Sequence, residues 1–82
     1  MFWVYVIQSV ATGRFYVGQT DNVGRRMKEH NEGLSKYTRH QRPWELIWCE
    51  GFGTRSEAMR REQEIKLRKS KKYLLQLVKS KN

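Results

Sequence analysis

Five side chains in this sequence of 82 residues have types and spacings that suit chemistry on an anionic ester. Tyr5 and Tyr16 each carry a phenol that can donate, accept or transfer a proton. Arg26 and His30 are four residues apart, so a helix places a fixed positive charge and an imidazole on one face. Glu62 supplies a carboxylate in a later segment. The set therefore suits the hydrolysis of a phosphodiester.

Phosphodiester hydrolysis would use these groups in different ways. A carboxylate holds a divalent cation, and the cation and an arginine neutralise the charge that develops on the phosphorane oxygens. A phenol or an imidazole moves the proton of the attacking water. Because the sequence offers one well-placed carboxylate, it favours one metal ion over two.

The carboxylate of Glu62 lies on the inward stripe of a predicted helix, four residues after Ala58 and three before Ile65. A carboxylate on such a stripe costs free energy unless it is paired or binds a metal. The structural alternative is that Glu62 pairs with a nearby arginine. Equally, the two tyrosines can be core aromatics, and Arg26 and His30 can belong to a basic surface helix.

The charge of the chain is strongly positive and unevenly distributed. Lys and Arg number 17 against eight Asp and Glu, so the net charge is +9. Residues 55–82 hold ten of the basic and three of the acidic side chains, whereas residues 1–54 are nearly balanced. This pattern predicts a polyanionic partner, most often nucleic acid, unless the charge only aids solubility. The candidates for phosphate contacts are Arg60, Lys66, Lys69, Lys71 and Lys72, with Lys36, Arg39 and Arg42 as an alternative docking surface.

The elements that must position these groups follow from turn and capping signals. Two segments rich in β-branched and aromatic residues, 2–7 and 15–17, predict a hairpin, and residues 44–50 predict a third strand. Helices are predicted over about 22–31, from the T-x-x-E capping box at Thr54 to about 68, and after Ser70. The fold class is α+β, with a three-stranded antiparallel sheet flanked by helices in the order β-β-α-β-α-α.

Gly18 is predicted to end the second strand just before the first helix. In that position a glycine serves the turn, or it lets a phosphate approach the backbone at the helix N-terminus. Gly18 is therefore one more candidate for phosphate binding.

Composition bounds the class of protein. The length and 38% hydrophobic content predict one domain over residues 1–82, without a membrane span or a signal peptide. A single cysteine, Cys49, cannot form an internal disulfide, so a reducing cytoplasm is expected. Cys49, His30 and His40 are too few and too scattered for a zinc site.

The sequence resembles the GIY-YIG nuclease superfamily. Trp3-Val4-Tyr5 and Tyr16-Val17-Gly18 resemble its two-part motif, and Arg26 and His30 occupy its usual Arg and His or Tyr positions. Ala58 to Glu62 reproduces the A-x-x-x-E context of its metal-binding glutamate. Nearly the whole chain is similar to the small stand-alone bacterial branch, and more distantly to the catalytic half of the excision-repair incision subunit.

The resemblance implies a role for each residue. Glu62 would hold Mg²⁺ or Mn²⁺ with open water positions, and Arg26 would stabilise the pentavalent transition state. Tyr5 or Tyr16 would help to deprotonate the attacking water, while the other tyrosine and His30 position it. The implied activity is a metal-dependent DNA endonuclease connected with DNA repair, with a separate protein as a possible source of specificity.

Two other classes of function stay open. A nucleic-acid-binding module on the same fold, without cleavage, needs the positive charge but not the five-residue set. A small basic protein bound to ribosomal RNA needs neither Glu62 nor the tyrosine pair. The presence of all five residues favours the endonuclease.

Overall fold

The structure, a computed structural model, describes residues 1–80 and contains one antiparallel sheet of three strands. Strand β1 (Phe2–Ser9) is the central strand, with β2 (Phe15–Thr20) on one side and β3 (Trp44–Phe52) on the other. Strands β1 and β2 form the predicted hairpin, in a register that pairs Tyr5 with Gly18 and Ile7 with Tyr16.

Three helices follow the predicted order, so the sequence-based fold is confirmed. Helix α1 (Val23–Asn31) begins at Asn22, whose side chain accepts a hydrogen bond from the Arg25 amide. Helix α2 (Arg55–Leu67) begins at Thr54, whose hydroxyl accepts a hydrogen bond from the Glu57 amide, as the capping box predicts, and donates one to the Glu57 carboxylate. Helix α3 (Lys71–Ser80) follows directly.

The two faces of the sheet carry different cores because successive side chains of a strand point to opposite faces. On one face Val4, Val6 and Val17 pack with Ala58 and Ile65 of α2 and with Leu74 of α3. On the other face Tyr5 and Ile7 pack with Trp44, and Tyr16 and Met27 of α1 cover them. Strand β1 is therefore buried on both sides, as its composition predicts.

The predicted ends of strands β2 and β3 are wrong. Gly18 lies inside β2, which continues to Thr20, because the hairpin pairing extends to Trp3 opposite Thr20. Strand β3 runs two residues past Glu50, because the pairing with β1 continues to Phe2 opposite Phe52. Between α1 and β3 the chain forms a 3-10 turn, Arg39–Gln41.

No helix within residues 1–80 combines the length and the apolar character needed to cross a membrane.

Candidate nuclease site

A buried hydrogen-bonded chain connects β1, α1 and the segment before β3. The hydroxyl of Tyr5 lies 2.9 Å from Nε2 of His30, and Nδ1 of His30 lies 2.7 Å from Oγ1 of Thr38. Tyr5, His30 and Thr38 are at most 1% exposed. The indole Nε1 of Trp44 donates to the carbonyl of Thr38 at 2.8 Å, which fixes the end of the chain. The alternative in which His30 belongs to a surface helix is therefore wrong.

Arg26 reaches the same cluster from one turn earlier on α1. Its guanidinium donates to Glu29 Oε1 at 2.8 Å and interacts with the Tyr5 hydroxyl. The same guanidinium lies 3.5 Å from Oγ of the buried Ser35. Because Arg26 is held on several sides, its positive charge is fixed beside Tyr5 rather than free in solvent.

Tyr16 closes the cluster at its half-buried side. Its ring lies 6.5 Å from the ring of Tyr5, 5.4 Å from that of His30 and 6.4 Å from that of Trp44, measured between centroids. Tyr5 and Tyr16 therefore converge, although their backbone positions pair with other residues. Of the two phenols, Tyr16 is the one that solvent reaches.

Gly18 makes room for the Tyr5 ring. A side chain built at this position would have its Cβ 2.6 Å from the Tyr5 hydroxyl oxygen and 3.2 Å from the Tyr16 ring. Such contacts are far inside van der Waals distance, so the ring of Tyr5 occupies the space that any other residue would fill. The phosphate-binding role suggested for Gly18 stays a prediction.

Glu62 lies on α2, whose buried residues Ala58 and Ile65 pack against the valine face of the sheet. Its side chain is 13% exposed, and its Oε2 lies 2.6 Å from Nζ of Lys66, one turn along the helix. The structural alternative named an arginine as the partner of Glu62, and the partner is this lysine. The Glu62 charge nevertheless acts on Tyr5, where it contributes to the raised pKa of the phenol.

Burial controls the protonation states within the cluster. It raises the pKa of Tyr5 to about 12, with smaller contributions from Tyr16 and Glu62 and an opposing one from Arg26. Burial, followed by the positive charge of Arg26, lowers the pKa of His30 to about 4. At neutral pH, Tyr5 is thus a neutral phenol and His30 a neutral imidazole, which pairs one donor with one acceptor along the chain.

Because His30 is neutral in the folded protein, we expect the protein to lose stability in acid. Because its folded pKa of about 4 lies below the ordinary value of 6.5, His30 contributes stability above about pH 6.5 that is lost as the pH falls towards 4. The loss in the free energy of unfolding should be about 2–3 kcal/mol. Urea titrations across this range should show a smaller loss for His30→Gln, while the exposed His40→Gln behaves as wild type. Equal losses in wild type and His30→Gln would contradict this assignment.

The donor set around Glu62 fits a magnesium-like ion in one respect. Residues 1–80 contain no group of three or more His, Cys, Asp or Glu side chains placed to hold a metal. Mg²⁺, however, commonly binds through one or two carboxylates and keeps water and substrate phosphates as its other ligands. A single shielded carboxylate whose lysine partner is 45% exposed meets that minimum, and Glu62 as a metal ligand stays a prediction.

The predicted phosphate-binding side chains lie along α2 and at the start of α3. Arg60, Lys69, Lys71 and Lys72 are exposed, whereas Lys66 is engaged with Glu62. Lys69 and Lys71 line one cleft with Arg14 of the hairpin. Partial burial, and then the charge of Lys66, lowers the pKa of Lys69.

Sequence reasoning missed Ser35, Thr38 and Trp44 as parts of the site. Ser35 and Thr38 lie in a segment without helical or strand periodicity, and each is small enough to suit any turn. Trp44 is an apolar residue at the start of a predicted strand, which indicates a core position. That position does not predict the hydrogen bond from its indole to Thr38.

The fold and the site together define a small α+β domain in which two strand tyrosines, a histidine and an arginine form one cluster. The family model of the GIY-YIG catalytic domain matches residues 1–74, and the chain belongs to this family. The family is one of nucleases, so the chain carries a nuclease-type domain, whose substrate is nucleic acid.

Known relatives come from both archaea and bacteria. A UPF0213 protein of Halobacterium salinarum is 49% identical over 67 residues, which cover 80% of this chain and 86% of that protein. A UPF0213 protein of Natronomonas pharaonis is 49% identical over 75 residues, covering 89% of this chain and 87% of that protein. The solution NMR structure of a UPF0213 protein from Bacillus halodurans matches 99% of this chain and 86% of its own chain, with a TM-score of 0.61 and 38% identity. The predicted similarity to small stand-alone members is confirmed.

Proposed function

We propose that this chain is a divalent-metal-dependent endonuclease that hydrolyses phosphodiester bonds of DNA. The observation that supports the proposal is the convergence of Tyr5, Tyr16, Arg26 and His30, from two strands and a helix, within the electrostatic reach of Glu62. A binding module has no need for a neutral phenol and a neutral imidazole held beside a fixed guanidinium.

Arg26 is the group that meets the transition state. Its side chain is 29% exposed, so a phosphate can reach it, while the ion pair with Glu29 keeps it in place. A pre-positioned cation stabilises the charge that develops on the phosphorane oxygens without reorganising first. The neutral state of His30 keeps a second positive charge out of the cluster.

The two tyrosines have different roles in the site. The half-buried Tyr16 contacts the substrate or the attacking water, whereas the buried Tyr5 positions the site through its bonds to His30 and Arg26. With its pKa raised to about 12, Tyr5 acts at neutral pH as a neutral hydrogen-bonding group and not as a phenolate.

Glu62 is the residue that would hold the metal ion, with Lys66 displaced towards solvent. When bound, Mg²⁺ or Mn²⁺ would supply Lewis-acid activation of the phosphate. The single cysteine fits a reducing compartment, and we place the activity in the cytoplasm with nucleic acid as the partner.

A plasmid-nicking assay tests the proposal. Purified protein should convert supercoiled DNA to the nicked form with Mg²⁺ or Mn²⁺ and should not do so with excess EDTA. The second candidate, a binding module that does not cleave, is favoured by the ion pair between Glu62 and Lys66, because it satisfies the carboxylate without a metal. That candidate predicts DNA binding without nicking under any metal condition.

Binding to duplex DNA should depend on the cations of the α2–α3 region. Replacing Lys71 and Lys72 by Ala should weaken binding to all sequences and flatten the slope of log affinity against log salt by up to about 2 units. Lys28→Ala is the control, because this lysine lies on α1, on the other face of the sheet, near Glu32. An unchanged slope in the double variant would place the docking surface elsewhere.

A further inference from the structure

The turn that links α1 to β3 displays an aromatic side chain on a fixed support. In residues 34–42, which we call the display segment, Ser35 and Thr38 are buried. Between them, Tyr37 is 78% exposed, and Leu34, just before Ser35, is 70% exposed. The amides of Thr38 and Arg39 both donate to the carbonyl of Ser35, so Tyr37 lies at the tip of a closed turn.

The display segment is anchored to the nuclease cluster at both buried positions. Thr38 bonds His30 at 2.7 Å, and Ser35 lies 3.5 Å from the Arg26 guanidinium. Tyr37 is thus one residue from a side chain that bonds the cluster directly. A molecule held by Tyr37 is therefore bound on a segment that itself contacts the cluster.

Within residues 1–80, the positive charges of the display segment are not paired with carboxylates. Residues 33–44 contain Lys36, Arg39 and Arg42 but no Asp or Glu. Within residues 1–80, no carboxylate forms an ion pair with any of the three, whereas several cations on α1 and α2 do have such partners: Arg25, Arg26, Lys28, Arg61 and Lys66. Arg42 donates instead to the carbonyl of Arg39, which holds its side chain against the turn.

We propose that the display segment binds a DNA strand with unpaired bases, with Tyr37 stacked on one base and Lys36 and Arg39 on the flanking phosphates. An exposed aromatic among uncompensated cations is the combination that single-stranded nucleic acid requires, since every base offers a π-face and every linkage a negative charge. In a duplex these faces are covered by neighbouring base pairs, so Tyr37 would have no partner there.

The inference rests on the proposed function and narrows its substrate to DNA that is single-stranded at the cleavage site, such as a flap or a gap. The buried anchors give a physical reason for the arrangement. Because Ser35 and Thr38 hold the turn, the backbone at Tyr37 needs little ordering when the ring stacks on a base.

The test compares Tyr37→Leu with Tyr37→Phe, since both keep an apolar side chain and only Phe keeps a ring. Binding to a labelled oligo(dT) and to a mixed-sequence duplex of equal length is measured by fluorescence anisotropy in EDTA at fixed salt. Wild type should prefer the single strand. Tyr37→Leu should weaken single-strand binding by roughly tenfold and alter duplex binding by less than about twofold, with Tyr37→Phe near wild type.

Three results would overturn the inference: unchanged single-strand binding in Tyr37→Leu, equal losses on both DNAs, or a preference of wild type for duplex. The first would leave Leu34 and Tyr37 as a contact for another protein. Because EDTA prevents cleavage, the result is independent of the endonuclease proposal. A Tyr37 effect on binding, without Mg²⁺- or Mn²⁺-dependent cleavage of either plasmid or flap DNA, refutes only the endonuclease, and cleavage without a Tyr37 effect refutes only this inference.

Discussion

Glu62→Gln is expected to lower Mg²⁺- or Mn²⁺-dependent nicking of DNA by at least about 100-fold. The substitution keeps the size of the side chain and removes the charge that would bind the ion. DNA binding in EDTA should be unchanged or slightly tighter, because a negative charge near the phosphates is gone. Nicking and binding are measured on the same protein preparation, so that a loss of one can be compared with the other.

The stability of this variant separates metal binding from a structural role. Glu62 pairs with Lys66, whose side chain is 45% exposed and can turn to water when its partner loses charge. The free energy of unfolding should therefore fall by less than about 1 kcal/mol. Glu45→Gln, at an exposed position of β3, is the matched control and should nick as wild type does. A collapsed thermal melt, or nicking that survives in Glu62→Gln, would remove Glu62 as the metal ligand.

Gly18→Ala is the second substitution with a large expected effect. The added Cβ would lie 2.6 Å from the Tyr5 hydroxyl oxygen, so the ring must move away from β2. That movement breaks the bond between Tyr5 and His30 and shifts Arg26 as well. Nicking should fall by about 100-fold, the cost typical of a 1 Å misplacement, and the free energy of unfolding by about 1–3 kcal/mol.

The control for this substitution is Gly24→Ala in the first turn of α1. A Cβ there meets only the Asn22 side chain, at the ordinary contact distance of 3.6 Å. Because alanine favours a helix more than glycine does, stability should be kept or raised by up to about 1 kcal/mol, and nicking should persist. If Gly18→Ala retains full nicking activity, the position of the Tyr5 hydroxyl is not required for the reaction.

The sequence predicted the order of elements because each one carries its own local signal. The capping residues Asn22 and Thr54 fix where helices begin, and the β-branched and aromatic runs fix the strands. Gly18 was predicted to end the second strand because a glycine commonly ends a strand, and its cross-strand partner was not known. That partner, Tyr5, is set by the register of the hairpin, which no single segment encodes.

Within the site, the sequence predicted the chemical groups but not their connections. The i, i+4 spacing of Glu62 and Lys66 is typical of an ion pair on a helix. The predicted partner of Glu62 was nevertheless an arginine. The burial of His30 depends on Thr38 and Trp44, which arrive from beyond the helix. Such contacts between distant segments cannot be predicted from the sequence until the position of the segment before β3 in the fold is known.

Strand β1 contributes buried side chains to both faces of the sheet. This limits the positions at which residues can be inserted or deleted. Deleting one residue between Val6 and the hairpin turn would turn Val4 and Val6 towards α1 and move Tyr5 into the aliphatic core against α2. The exposed hairpin turn between Ser9 and Phe15 carries no such constraint, since extra residues there leave the pairing of Tyr5 with Gly18 intact. Insertions should therefore be tolerated in the turn and rejected in the strand. The number of residues separating the two tyrosines is free to vary, provided that Tyr5 stays opposite Gly18.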